Sequence, residues 1–176
     1  LLDRLLPPGL ACGLDAGCGT GMNAREFERR YGIRMYGVDL APLGIQYCKK
    51  RSFDRAAVAS ILTLPFPDAS FDLVSSLDVL PVLPAGGDEQ ALREFRRVLR
   101  PGGWLVLRVA AFHALRSRHS QYVAERHRYR AGELLRKLAA VDFRLVRWTY
   151  ANSVLSPIAW LKFRIWENWT RQEPQS

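Results

Sequence analysis

The chain has 176 residues, enough for one domain with a substantial core, and no apolar run in it is long enough to span a bilayer. Its three cysteines, at 12, 18 and 48, have neither zinc-ligand nor Cys-x-x-Cys spacing, which leaves no metal site and points to a reduced, cytoplasmic setting. The formal charge of +9 rests mostly on arginine and has two readings: a bias spread over solvated helix faces, or a surface for anions.

Residues 10–14 read as a short buried strand and 22–31 as a helix. Leu14-Asp15-Ala16-Gly17-Cys18-Gly19-Thr20-Gly21 therefore lies across the turn between them. Glycine at every second position lets the chain bend sharply and lets backbone approach a ligand more closely than a side chain would allow. A purely structural turn is the competing reading. The spacing Gly-x-Gly-x-Gly, preceded by an acid, argues against a pyrophosphate cofactor, because phosphate wants the helix N-terminus clear of negative charge. Asp15 suits a cofactor with a cationic end, an ammonium or a sulfonium, which points to S-adenosylmethionine. A nicotinamide dehydrogenase would lack this glycine spacing. Asp39 closes the next apolar run, 33–38, at the place where doubly wound folds hold ribose hydroxyls.

Residues 71–77 and 104–109 are apolar runs with few polar interruptions, as central strands covered on both faces should be. Between them, Ala91, Leu92, Phe95, Val98 and Leu99 make the apolar face of a helix, with Arg93, Arg96, Arg97 and Arg100 towards water. Asp88 reads as its N-cap and Pro101-Gly102-Gly103 as the stop before the next strand. Strands alternating with helices imply a parallel sheet with right-handed crossovers, and ligands bind beyond the strands' carboxyl ends, where Asp15, Asp39 and Asp78 fall. From 108 to 147 basic residues are dense, which could draw an anionic substrate, a membrane or nucleic acid; no RNA-binding signature is present. Another helix starts near Ala131. Residues 1–156 form the main domain; 157–169 read as a helix carrying Trp160, Phe163, Trp166 and Trp169, followed by a polar tail to 176. That helix either packs on the core or serves as a peripheral membrane anchor.

These landmarks in order resemble the class I S-adenosylmethionine-dependent methyltransferases, in the small-molecule branch with the ubiquinone and menaquinone enzymes (methyltransferase type 11). The likeness runs from about 10 to 160 through the turn at 14–21, Tyr36-Gly37-Val38-Asp39, residues 64–74, residues 92–103 and the strand from Trp104. It implies a doubly wound α/β, Rossmann-like fold with a mostly parallel sheet of about six strands. The family's seventh, antiparallel strand has no candidate after the last helix. Both ends look cut, since similar enzymes carry an N-terminal helical segment over the active site. The implied function is methyl transfer by in-line displacement to an O, N or C nucleophile on a small or lipid-like acceptor; the alternative is a non-catalytic cofactor-binding scaffold.

By position, the resemblance sets Gly17, Cys18, Gly19 and Gly21 under the methionine and ribose portions, Asp15 near the ammonium through water, and Asp39 on both ribose hydroxyls. Leu40 would pack on the adenine. Ser60 stands where many relatives have the aspartate that accepts from the adenine amine, with Ile61 beside it and Leu77 at the end of the fourth strand. Relatives read Leu-Asp-Val-Leu-Glu-His where this chain has Leu77-Asp78-Val79-Leu80-Pro81-Val82, so Pro81 and Val82 supply neither base nor metal ligand. Asp78 either acts in catalysis or caps the following turn. Residues 111–119 resemble a substrate-facing loop in which His119 matches a histidine common in the branch and is the candidate base, although a surface role is the plainer one. His113, Arg128 and Tyr129 match substrate-facing positions, although Tyr129 is better read as packing on the core or fixing the loop; His113 and His127 have weaker claims than His119.

Overall fold

The computed structural model describes residues 5–109 and 126–150. Strand β1 (Cys12–Ala16) begins at Cys12 rather than at residue 10, because the stretch that is buried runs to Ala16 while Leu10 only flanks the core. With β2 (Arg34–Asp39), β3 (Ala56–Val58), β4 (Phe71–Leu77) and β5 (Leu99–Arg108) it forms a wholly parallel sheet in the order β3-β2-β1-β4-β5. The order reverses between β1 and β4. In an open parallel sheet that reversal opens a crevice beyond the carboxyl ends of the strands, and the turn after β1 sits in it.

Strand side chains alternate between faces, so neighbouring β4 residues serve different cores. Leu73 joins Met35, Phe27, Ile45 and Cys48 beneath α1 (Met22–Tyr31) and α2 (Pro42–Lys50). Val74 joins Leu14, Val38, Leu92 and Phe95 beneath α3 (Gly87–Val98), with Leu134 and Leu138 of α4 (Ala131–Ala139) packed at the margin. A side chain as fully buried as Phe95 contributes roughly 2–3 kcal/mol by leaving water. Both faces of β4 are therefore covered, as expected of a central strand, whereas β5, expected to be central too, stands at the sheet's edge among the described residues with its second half only partly buried.

Three local expectations change. Helix α3 starts at Gly87 behind Gly86, whose left-handed φ of 77° makes it the N-cap; Asp88 lies one step inside the first turn and its Oδ1 accepts from Glu89 N at 2.9 Å. Pro101-Gly102-Gly103 is not a stop but lies within β5, where the register against β4 slips from Phe71↔Leu99 to Leu73↔Trp104. Proline and glycine mark irregular backbone, and here the irregularity is a bulge: a Cβ on Gly103 would lie 2.9 Å from the carbonyl oxygen of Arg100. Finally, of the six or so strands expected, the described residues hold five, and 143–150 have no regular structure.

Candidate cofactor site

The turn between β1 and α1 is tied to the end of β2. Gly17 N and Cys18 N both donate to Val38 O, at 2.8 and 2.9 Å, and Gly21 N donates back to Cys18 O at 2.9 Å. Gly17, at φ +88°, packs under the chain that follows β4: a Cβ there would meet Val79 Cγ2 at 2.2 Å. Gly19, at φ +53°, differs. Nothing lies within 4 Å of the position its Cβ would take, so the missing side chain leaves open space above the backbone. From the other side α2 clamps the turn through Gly44, whose Cβ would stand 2.7 Å from Gly19 O, Cys48 Sγ at 3.4 Å from the same oxygen, and Arg51 Nη1, which donates to Thr20 O at 3.1 Å.

Asp39 ends β2 facing this bend. Its Oδ2 accepts from Gly19 N and its Oδ1 from Ala41 N, each at 2.8 Å. These bonds fix the carboxylate and leave each oxygen a lone pair for a further donor, which is what two ribose hydroxyls require. Leu40, the next residue, is 65% exposed beside it.

Asp15 lies beneath the turn, 1% exposed. Ser75, its register partner on β4, donates its hydroxyl to Oδ1 at 2.8 Å, while Oδ2 has no hydrogen-bond partner. Burial pushes the carboxyl from its ordinary 3.8 up to about 6, opposed by the Ser75 hydroxyl and, with poorer geometry, by the Ala24 N–H in the first turn of α1. A buried carboxylate with a bare oxygen is costly by itself. A cation above it removes that cost. The open space over Gly19, the oriented Asp39 and the unsatisfied Asp15 therefore fit, in chemistry, a nucleoside with a cationic amino-acid end.

The remaining candidates divide. Cys18 is buried, and burial pushes its thiol's pKa up, so it packs rather than reacts. Ser60 closes a small turn, its Oγ accepting from Leu62 N at 3.1 Å, and the oxygen keeps a second lone pair to accept from another donor. Ile61 is buried in the core beneath α3, leaving only its backbone for a ligand. Leu77 is half-buried at the tip of β4. Asp78 follows in the left-handed region at φ 63°, its Oδ2 held by Arg108 Nε at 2.8 Å and Nη2 at 2.6 Å. It does not cap the 3-10 turn Leu80–Val82, whose cap residue is Val79.

Tyr129 is tied into the structure rather than free in a loop. It is 3% exposed and its hydroxyl donates to Asp88 Oδ2 at 2.9 Å, which also takes Lys137 Nζ at 2.7 Å. Burial pulls the Asp88 carboxyl up, but these two partners outweigh it and hold its pKa below the usual range; burial and Asp88 together push the Tyr129 hydroxyl's pKa up. The group fastens α3 to α4 and lines a cavity of about 290 Å³ with Leu80, Leu83 and Pro84. Arg128 is likewise buried. His113 and His119 lie outside the described residues, as does the helix expected at 157–169.

Sequence reasoning missed Ser75 and Arg108. The signal for Ser75 was two serines inside an otherwise apolar strand, and for Arg108 a cation one strand over from an acid, in register with Leu77.

Residues 14–107 match the protein family described as a methyltransferase domain. Among curated relatives, the 2-methyl-6-phytyl-1,4-hydroquinone methyltransferase of Synechocystis sp. is 35% identical over 107 residues, 58% of this chain and 32% of that protein. The malonyl-[acyl-carrier protein] O-methyltransferase of Halorhodospira halophila is 40% identical over 113 residues, 58% of this chain and 37% of that protein. The chain thus spans about a third of the length of these relatives. Of solved structures, the [4+2]-cyclase SpnF superposes with a TM-score of 0.67 at 28% identity, covering 82% of this chain and 54% of that one. With the glycine turn, the strand order and the family match in agreement, the chain belongs to the class I S-adenosylmethionine-dependent methyltransferases.

Proposed function

We propose that the chain binds S-adenosylmethionine over the 17–21 turn and transfers its methyl group to a small or lipid-like acceptor. The observation that carries this is the bond from Gly19 N to the Asp39 carboxylate at 2.8 Å beneath open space, with Asp15 unsatisfied below. Asp39 would hold the ribose hydroxyls, Leu40 would cover the adenine, and Ser60 would meet its amine. Asp15 would set negative charge under the ammonium end. When bound, the cofactor supplies the reactive carbon and its leaving group, so the protein's part is alignment and, where the acceptor needs it, removal of a proton.

Asp78 is engaged by Arg108, so its part is to hold charge and shape at the rim rather than to take a proton. His119 is the proposed base. Relatives named for a phytyl hydroquinone and for a malonyl-acyl-carrier protein favour a small or lipid-like acceptor. A cytoplasmic setting is proposed with this activity.

A second reading has support of its own. Pro81 and Val82 carry no chemistry, Asp78 is tied, and a relative in fold is named as a cyclase. The chain would then bind the cofactor without transferring methyl. Formation of S-adenosylhomocysteine from S-adenosylmethionine with a panel of hydroquinones, phenols and carboxylic acids decides: turnover supports transfer, and cofactor binding without any turnover supports the scaffold.

A further inference from the structure

Eight large hydrophobic side chains are exposed among the described residues, and five gather at one corner of the molecule. Met22 opens α1, Leu40 follows β2, Leu43 and Tyr47 lie on α2, and Val58 ends β3 opposite Asp39 in the strand register. All but Tyr47 stand at the carboxyl ends of the strands, around the mouth of the cofactor crevice. Helix α2 is the centre of the patch. Its inner face, Gly44, Ile45 and Cys48, is buried against the turn and core, so its stability does not depend on covering the outer one. That outer face carries Leu43 at 61% exposure and Tyr47, with Lys50 Nζ 5.2 Å from the Tyr47 ring centroid and Lys49 beside it.

Charge selects the partner. Residues 40–53 contain Lys49, Lys50 and Arg51 and no carboxylate, and they hold two of the four lysines in a chain otherwise rich in arginine. A helix with an apolar outer stripe and flexible ammonium groups suits a diffuse layer of anionic headgroups. A fixed protein partner would favour aromatic and arginine anchors set in a pocket; of the five exposed side chains here only Tyr47 is aromatic, and Arg51 is turned inward onto Thr20 O. We infer that the outer face of α2, with Val58 at its flank, docks on an anionic phospholipid surface and turns the mouth of the cofactor crevice towards it. The contact is peripheral: no described helix is long and apolar enough to cross a membrane.

The test is co-sedimentation of the full chain with phosphatidylcholine vesicles, with and without added phosphatidylglycerol. The expected result is binding to the anionic vesicles, weakened by salt. Each lysine near such a surface is worth about fivefold in affinity, so Lys49→Glu with Lys50→Glu should lose at least about tenfold. Leu43→Ser with Tyr47→Ser should lose a similar factor. Both variants should keep their affinity for S-adenosylhomocysteine, which shows that they fold and separates this inference from the cofactor assignment. If the unaltered chain shows no cofactor binding but still shows α2-dependent vesicle binding, the docking face stands and the proposed function falls. The inference is overturned if the chain ignores anionic vesicles, if the α2 variants bind them as well as the parent does, or if Trp160→Ser with Trp166→Ser alone abolishes binding. A dimer that Leu43→Ser converts to monomer, with no vesicle binding, would assign the face to a second copy instead.

Discussion

Asp15→Asn replaces a carboxyl that is buried under the turn with one oxygen unsatisfied. Because its folded-state pKa, about 6, lies above the ordinary 3.8, the native chain holds this proton more tightly than the unfolded chain does. Stability from this group is therefore full at low pH and falls as pH rises through that window, by about 3 kcal/mol in all and about 2 kcal/mol of it between roughly pH 4.5 and 7.5. The asparagine variant lacks the proton. Its stability relative to the parent should thus rise by about 2 kcal/mol over that interval. An amide nitrogen left unpaired at the old Oδ2 site adds a constant cost of about 1–3 kcal/mol, which moves the offset and not the slope. Urea unfolding of both proteins at several pH values measures the difference directly. A difference that stays flat within about 0.5 kcal/mol would show that Asp15 is not held at that pKa and would refute the reasoning. Under the proposed function the same charge lies beneath the ligand's ammonium, so the parent's affinity for S-adenosylhomocysteine should decline as pH falls through about 6, and the variant's should not.

Gly17→Ala and Gly19→Ala should part company. The first forces a Cβ into Val79 and should cost about 2 kcal/mol or more in urea unfolding; the second meets no neighbour, costs about 1–2 kcal/mol for its positive φ, and should instead weaken S-adenosylhomocysteine binding at least about tenfold. Tyr129→Phe should cost about 1 kcal/mol by removing the Asp88 hydrogen bond while cofactor affinity in calorimetry stays the same; a lost affinity would contradict a role confined to fastening α3 to α4. Asp78→Asn breaks a half-exposed ion pair, so stability should change by less than about 1 kcal/mol, and any larger effect should appear in turnover with the acceptor panel.

Much of this site is legible in the sequence because its signals are local. A strand, alternating glycines and an acid at the end of the next strand specify the turn and the acid beside it within one βαβ unit, and Gly19 N is bonded to Asp39. What depends on distant chain was not legible. The hydrogen bond to Asp15 Oδ1 comes from Ser75, sixty positions on, and the pairing of Asp78 from Arg108, thirty on. Asp88 looked like a cap because a cap is defined by neighbours in sequence, yet its partners are Tyr129 and Lys137 from beyond β5. Pro101-Gly102-Gly103 looked like a break for the same reason; pairing with β4 turns it into a bulge.

Titration of the chain with S-adenosylhomocysteine, parent against Asp39→Ala, bears most directly on the nucleoside pocket. Saturable one-to-one binding by the parent, reduced at least about a hundredfold in the variant through loss of two charge-assisted hydrogen bonds, is the expected result. Equal heats from both proteins, or none from a folded parent, would contradict it.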